Sequence, residues 1–149
     1  MGALSVSFRD SLTPALRQKL DAMKDTRPIL EAGGFMLKQC ALSAWRDEAM
    51  RPAPWRPLKP ATVERKEKAG KTAMLIFERH MQQSLRVGVP SGGKVEVGSD
   101  AFYAPFHQFG TGRMPARPFI PMREDGKLVP AAEQKVFSAM RARMAQMLK

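Results

Sequence analysis

Histidine and cysteine are the residue types in this chain that could carry acid–base, nucleophilic or metal chemistry. The 149 residues include two histidines, His80 and His107, and one cysteine, Cys40. Neither histidine has a partner at a spacing typical of metal ligands, and no motif around Cys40 indicates a reactive thiol. A lone cysteine also excludes a disulfide within the chain. We therefore expect no metal, no cofactor and no nucleophilic cysteine.

His107 is the best candidate for a general base. It lies in Tyr103–Phe119, a stretch dense in aromatic residues, prolines and glycines, where Arg113 and Arg117 could stabilise a phosphate group. This combination would suit a small nuclease, but the sequence shows no second acid–base group for it. In the competing interpretation, His107 hydrogen-bonds to the backbone and holds its loop in place. We adopt the second interpretation and expect no catalytic residues.

Positive charge is the strongest compositional feature. The formal net charge is +11, which suits an anionic partner such as a nucleic acid or an acidic protein surface. The densest zone, 51–71, has seven basic residues, two acidic residues and four prolines. Because proline disfavours regular structure, we predict here a Pro-rich basic connector that is mobile in the isolated protein. The connector offers only Trp55 for stacking on bases, which disfavours a specific nucleic-acid site. A basic nucleic-acid-binding protein is the alternative function, and non-specific contact with DNA is compatible with either function.

The length of the chain predicts a single domain over 1–149. No run of about 18 apolar residues indicates a membrane-spanning helix, and the N-terminus lacks the features of a signal peptide. We therefore expect no membrane partner and a protein that stays in the compartment where it is made.

Apolar spacing and capping residues predict helices over five ranges: 12–23, 29–50, 60–68, 72–83 and 130–148. In the second of these, Gly33 and Gly34 would cost about 1 kcal/mol each relative to alanine, or would divide the helix in two. Phe35, Met36 and Trp45 on the same helix are expected to pack in the core.

Between the fourth and fifth helices the apolar periodicity changes to that of strands. Leu85, Val87 and Val89 occupy alternate positions, and so do Val95 and Val97. Pro-Ser-Gly-Gly at 90–93 supplies a turn between the two runs, which predicts a β-hairpin. The fold class is therefore α+β: N-terminal helices, a small antiparallel β-sheet built on a hairpin, and a long C-terminal helix.

The order of motifs from Trp55 to Phe119 resembles the phage virion morphogenesis family, the tail-completion proteins of Mu-like and P2-like phages. The matching elements are Trp55-Arg-Pro-Leu58, Thr62, Lys66, Leu75, Ser84-Leu85, Val95-Glu-Val-Gly98-Ser99, Tyr103-Ala104, His107-Gln-Phe-Gly110 and Pro115-Ala-Arg-Pro-Phe119. The chain departs from the family at Arg79, where glycine is frequent. The helix around Arg79 could therefore run straight into the strand.

The resemblance implies a structural protein without catalytic residues. Proteins of this family act at the neck of the particle, so the expected function is to complete the tail and to help join it to the head. The expected partners are other neck and tail proteins, together with further copies of the chain in a ring. The expected location is the host cytoplasm during assembly and then the virion.

The joint implied by the resemblance would use residues for interaction or for shaping the loop: Trp55, Tyr103, His107, Gln108, Phe109, Gly110, Arg113, Arg117, Pro118 and Phe119. Arg113 and Arg117 could pair with carboxylates of the next subunit. For Phe109 and Phe119 two environments remain open, the core of the chain itself and a pocket of a neighbour.

Overall fold

The computed structural model of the chain describes residues 14–73 and 79–149. The helices are α1 (Pro14–Lys24), α2 (Arg27–Ser43), a 3₁₀ helix (Glu48–Met50), α3 (Pro60–Lys68), α4 (His80–Gln83), α5 (Ala104–Phe109) and α6 (Pro130–Met147). The strands β1 (Leu85–Val87) and β2 (Val97–Ser99) pair antiparallel. The predicted α+β class is confirmed, with helices first, a hairpin sheet next and a long C-terminal helix last.

Helix α2 lies at the centre of the fold, packed against α6 and against the hairpin. Gly33 and Gly34 are buried in the middle of α2 and do not break it. A Cβ on Gly33 would lie 2.9 Å from Sδ of Met140, and one on Gly34 would lie 2.6 Å from Cγ2 of Val95 and 2.8 Å from Cγ1 of Val87. The two glycines therefore allow α6 and the hairpin to approach α2 closely.

Helix α2 ends at Ser43, so the prediction of one helix up to Met50 is wrong. The backbone N–H groups of Arg46 and Asp47 both donate to the Ser43 carbonyl, at 2.9 and 2.8 Å. The Asp47 carboxylate then accepts from the Ala49 N–H at 2.9 Å and caps the 3₁₀ helix. A side chain that caps the backbone in this way competes with continuation of the helix.

Of the three aromatic and methionine side chains predicted in the core from this region, Trp45 is buried and Met36 packs partly against the core. Phe35 is 59% exposed, so the prediction for this residue is wrong. The reason is helical geometry: Phe35 stands about 200° around the helix axis from Gly33, which faces α6.

Helix α3 matches the predicted range 60–68, and it begins at Pro60 as expected. Glu64 and Lys68 form an exposed ion pair of 2.7 Å across one helical turn. Gly70 follows the helix with a φ of +66°, a left-handed conformation that commonly ends helices.

The predicted helix 72–83 is wrong at its start, because Thr72 and Ala73 are not helical. Residues 74–78 of the predicted helix lie outside the described residues. Arg79 has a φ of +61°, and this left-handed conformation excludes it from an α-helix. It is the position where glycine was noted as frequent, and glycine adopts this conformation without strain. Ser84 alone then separates α4 from β1.

The hairpin prediction is confirmed. Leu85 pairs with Ser99 and Val87 with Val97, while a bridge between Ser91 and Lys94 closes the turn. The two glycines inside that turn, at 92 and 93, have φ values of +57° and +75°, as a two-residue hairpin turn of type I′ requires.

The main core cluster draws residues from α2, the 3₁₀ helix, α4, β1, α5 and α6. Its buried members are Cys40, Ala41, Ala44, Trp45, Met50, Met81, Leu85, Ala104, Phe119, Val129 and Ala132. The stretch after β2, where the sequence concentrates its unusual residues, is thus anchored in the same core as the helices.

Candidate functional site

The stretch Tyr103–Phe119 folds into helix α5, a tight turn, and an irregular strip that we call the proline segment, residues 115–121. In the turn, Thr111 N donates to Met114 O at 2.8 Å and Met114 N donates back to Thr111 O at 3.2 Å. Gly110 precedes the turn with φ +74° and ψ 179°. A Cβ at Gly110 would lie 2.7 Å from the backbone N of Ala116. Glycine at this position therefore allows α5 and the proline segment to lie side by side.

Gln108 is the main link between α5 and the proline segment. Its Oε1 accepts hydrogen bonds from the backbone N–H groups of Phe119 and Ile120, both at 3.0 Å. Its Nε2 donates to the Ile120 carbonyl at 3.3 Å. One side chain thus satisfies three backbone groups of a segment that has no strand partner there. His107 was the residue expected to hold this loop by a hydrogen bond to the backbone, but the side chain that makes such bonds is that of Gln108.

Phe119 lies in the core, which answers the question that the sequence left open for it. Its side chain is 1% exposed and its ring centroid lies 5.3 Å from that of Trp45. Trp55 meets Trp45 edge to face at 6.2 Å and donates from Nε1 to the carbonyl of Pro118 at 2.8 Å. Aromatic pairs of this kind are stabilising beyond the area they bury, so this cluster fixes the proline segment against the turn that follows α2.

Arg117 joins the proline segment to the connector. Its guanidinium is buried and donates from Nε to the Arg56 carbonyl at 3.0 Å and from Nη2 to the Pro57 carbonyl at 3.1 Å. Burial lowers the pKa of Arg117, but a guanidinium stays charged at any ordinary pH. Of the two arginines expected to pair with another subunit, only Arg113 has an exposed side chain.

The connector 51–71 has contacts at its start. The guanidinium of Arg51 lies over the Trp55 ring at 4.1 Å and donates to the Ala44 carbonyl at 2.7 Å. Further along, in α3, Lys66 is the one buried residue, and burial, followed by the charges of Arg65 and Lys71, lowers its pKa. The mobility predicted for 51–71 in the isolated protein remains a prediction, which hydrogen exchange measured along the connector would test.

His107 is half-buried and lies edge-on to Tyr103, with ring centroids 6.0 Å apart. Its backbone carbonyl accepts from Arg117 N at 2.7 Å. The Nδ1 atom of its ring is buried and has no hydrogen-bond partner among the described residues. Burial, with a smaller contribution from the positive charge of Arg117, lowers the pKa of His107. The ring of His107 therefore packs against Tyr103.

The outer side of α5 and the turn before it carry exposed aromatic side chains. Phe102 is 84% exposed and Phe109 is 76% exposed, and Phe106 between them is also exposed. Phe106 and Phe109 are three residues apart on α5, a spacing that places their side chains on one side of the helix, and Phe102 lies in the turn before it. We call these three residues the phenylalanine face. Exposed clusters of large apolar side chains are characteristic of protein–protein contact sites.

A basic cleft of about 890 Å³ lies beside this region, between the connector, α3 and the turn at 111–114. Its lining includes five exposed basic side chains and two buried ones: Arg56, Lys59, Arg65, Arg79 and Arg113, then Lys66 and Arg117. Both histidines also line the cleft, which their separation in sequence did not suggest. The described lining contains no aspartate or glutamate, so its charge is uniformly positive.

Within residues 14–73 and 79–149, no group of histidine, cysteine, aspartate and glutamate side chains could hold a metal ion. In the same part of the chain, no helix combines the length and apolar character that crossing a membrane requires. Cys40 is buried, and burial raises the pKa of its thiol.

Comparison with protein families identifies the class to which this fold and site belong. The family model of the phage virion morphogenesis family matches residues 7–145. The chain therefore belongs to this family, whose members have structural and assembly roles in phage particles. Comparison with curated proteins and with solved structures gave no match. The family match extends well beyond Trp55–Phe119, because it includes the N-terminal helices and most of α6.

The structure brings together most of the residues singled out in the sequence. The contact between α5 and the proline segment is formed by Gln108, Gly110, Pro118 and Phe119. Trp55, in the connector, donates a hydrogen bond to Pro118. Phe109 is on the opposite, exposed side. Sequence reasoning missed the exposed Phe102 and Phe106 as well as the cleft. The spacing of 106 and 109 could have indicated the exposed side of α5, but the cleft forms only when distant segments meet.

Proposed function

We propose that this protein completes the phage tail and helps to join it to the head at the neck of the particle. Family membership supports a structural role in assembly. The observation that carries the finer proposal is the phenylalanine face, because Phe102 and Phe109 are almost fully exposed. A cluster of this kind is unfavourable in water and becomes favourable when a partner covers it.

The phenylalanine face stands on a rigid support. Behind it, Gln108 bonds to the proline segment, and Ala104 is buried in the core cluster. An interface built on a fixed element loses little conformational freedom on binding, so more of the contact energy appears as affinity. This support suits a joint that must hold one geometry between neighbouring proteins of the particle.

Further copies of the chain and other neck and tail proteins are the proposed partners. In a ring, one surface of each copy meets a different surface of the next. The exposed Arg113 can supply a forked donor to a carboxylate across such a contact. The protein would be made in the host cytoplasm and would remain in the virion after assembly.

The proposed role needs no catalysis. Family membership supports this, because the phage virion morphogenesis family has structural and assembly roles. We expect purified protein to leave RNA and DNA uncut, so that His107→Ala has no activity to remove. Cleavage that disappears in His107→Ala would instead establish the nuclease alternative.

Electron microscopy of particles assembled without this protein tests the role directly. We expect separate heads and tails, because the joint is missing. Supplying the wild-type chain should restore joined particles, whereas the double variant Phe102→Ser, Phe109→Ser should restore few of them. Phe35→Ser is the matched control, since Phe35 is also exposed but lies on α2. Normal joined particles without the protein would contradict the neck assignment, and full rescue by the double variant would contradict the role of the phenylalanine face.

A further inference from the structure

We infer that the basic cleft binds an acidic segment of polypeptide from a neighbouring protein, one that carries aspartate or glutamate among apolar residues. This site is separate from the phenylalanine face. The inference concerns binding by the isolated protein, so it stands or falls independently of the neck assignment.

Charge is the first argument. Arg56, Lys59 and Arg113 have exposed side chains on the lining of the cleft, and no carboxylate among the described lining residues offsets them. Like charges that converge in a concave site repel one another and raise the local potential for an anion. A ligand with several carboxylates relieves this repulsion and accepts forked hydrogen bonds from arginine.

The apolar part of the lining decides which anion fits. The cleft is lined by apolar residues as well as by the basic groups: Leu58, Met81, Met114 and Pro115. Methionine adapts to side chains of different shape, and a mixture of arginine with apolar groups is typical of protein interfaces. A polypeptide segment can present carboxylates and apolar side chains at once, whereas the backbone of duplex DNA presents only phosphates and sugars.

The aromatic residues argue against single-stranded nucleic acid. Such ligands are usually held by rings on which successive bases stack. Tyr103 is the one phenylalanine, tyrosine or tryptophan on the described lining, and its ring meets His107 edge to face. The cleft therefore has charge for a phosphate backbone but lacks a row of rings for its bases.

Arg117 gives the cleft a defined shape. It is buried, and its bonds to the Arg56 and Pro57 carbonyls tie the connector side of the cleft to the proline segment. The exposed basic groups on both sides are thereby held across from one another, which limits the ordering cost of binding an extended segment.

Fluorescence anisotropy on the purified full chain tests the inference. The probe is a short labelled peptide in which glutamate alternates with leucine, and the reference peptide has glutamine in place of glutamate. We expect the glutamate peptide to bind with higher affinity than the glutamine peptide. Its affinity should fall as the salt concentration rises. The variant Arg56→Glu, Lys59→Glu, Arg113→Glu should weaken binding roughly tenfold or more.

The matched control is Lys94→Glu, Lys127→Glu, Arg143→Glu, which changes the net charge equally on exposed residues outside the cleft. Arg113→Glu alone is a second cleft variant in case the triple variant folds poorly, and its effect should be smaller. Equal loss in the cleft and control triple variants would overturn the inference, because net charge alone would then explain binding. Tighter binding of a short DNA duplex than of the glutamate peptide, sensitive to the cleft variants, would overturn it in favour of nucleic acid.

Discussion

Phe109 and Phe119 belong to the same motif-rich stretch, yet one is almost fully exposed and the other is almost fully buried. Phe109 ends helix α5 on the side facing away from the core, while Phe119 packs on Trp45 in the proline segment. Gln108 stands directly beside Phe109 in sequence and bonds to the backbone of Phe119. One short stretch thus has a half that stabilises the fold and a half that is exposed.

Residue type alone therefore does not decide whether a side chain in this stretch is buried or exposed. Aromatic residues and prolines occur on both sides of the turn at 111–114. Their roles follow from the direction in which Gly110 and Gln108 orient the chain. The predictions below test this division between a structural half and an exposed half.

The largest expected effect is at Phe119. Phe119→Ala should lower the free energy of unfolding by about 3–5 kcal/mol, because it leaves a cavity beside Trp45 in a packed core. Phe109→Ala should change it by less than about 0.5 kcal/mol, since an exposed side chain leaves no cavity. Chemical denaturation of both variants measures the two values. Similar losses in both would contradict the assignment of opposite environments.

The second comparison uses the two arginines that flank the end of the turn. Arg117→Ala should cost about 1–3 kcal/mol, because the carbonyls of Arg56 and Pro57 lose their donors in a partly buried site. Hydrogen exchange should also rise at the start of the connector. Arg113→Ala, with its side chain exposed, should leave stability and exchange nearly unchanged. A stable Arg117→Ala variant with unaltered exchange would show that the connector is held by other contacts.

The link between the halves is tested at Gln108. Gln108→Ala leaves the N–H groups of Phe119 and Ile120 without their acceptor, which should cost about 1–3 kcal/mol. The matched control is Gln134→Ala on the exposed side of α6, where little change in thermal or chemical stability is expected. If the two variants unfold alike, Gln108 does not hold the proline segment.

The smallest effect is a pH dependence at His107. Its pKa in the folded chain lies below its ordinary value of 6.5, so the unfolded chain takes up the proton first as the pH falls. The free energy of unfolding should therefore decrease below about pH 6.5 and should carry no contribution from His107 above it. In His107→Asn this component disappears. Denaturation curves across this range check the sign, and an increase in stability on acidification through His107 would contradict it.

Local patterns explain what was predicted well. Pro60 and Pro130 each begin a helix, and the glycines at 92 and 93 close the hairpin, because these residues restrict the backbone wherever they occur. The motif order from Trp55 to Phe119 also led to the family that the comparison confirmed.

Long-range contacts explain what was predicted wrongly. The end of α2 at Ser43 depends on the turn that buries Trp45 beneath Phe119. The role of Gly34 depends on valines of the hairpin. The left-handed backbone at Arg79 is unexpected for a residue with a Cβ. The one sequence indication of it was that glycine is frequent at this position in the family.

The sequence by itself determined the helix starts at Pro60 and Pro130 and the hairpin turn, because proline and glycine restrict the backbone locally. It also determined the net charge and the family. The environments of Phe109 and Phe119, the bonds of Gln108 and Arg117, and the assembly of the basic cleft were decided by tertiary structure. They require contacts between separate segments of the chain, such as Trp55 with Pro118 and Arg117 with Arg56, and local sequence patterns do not encode such contacts.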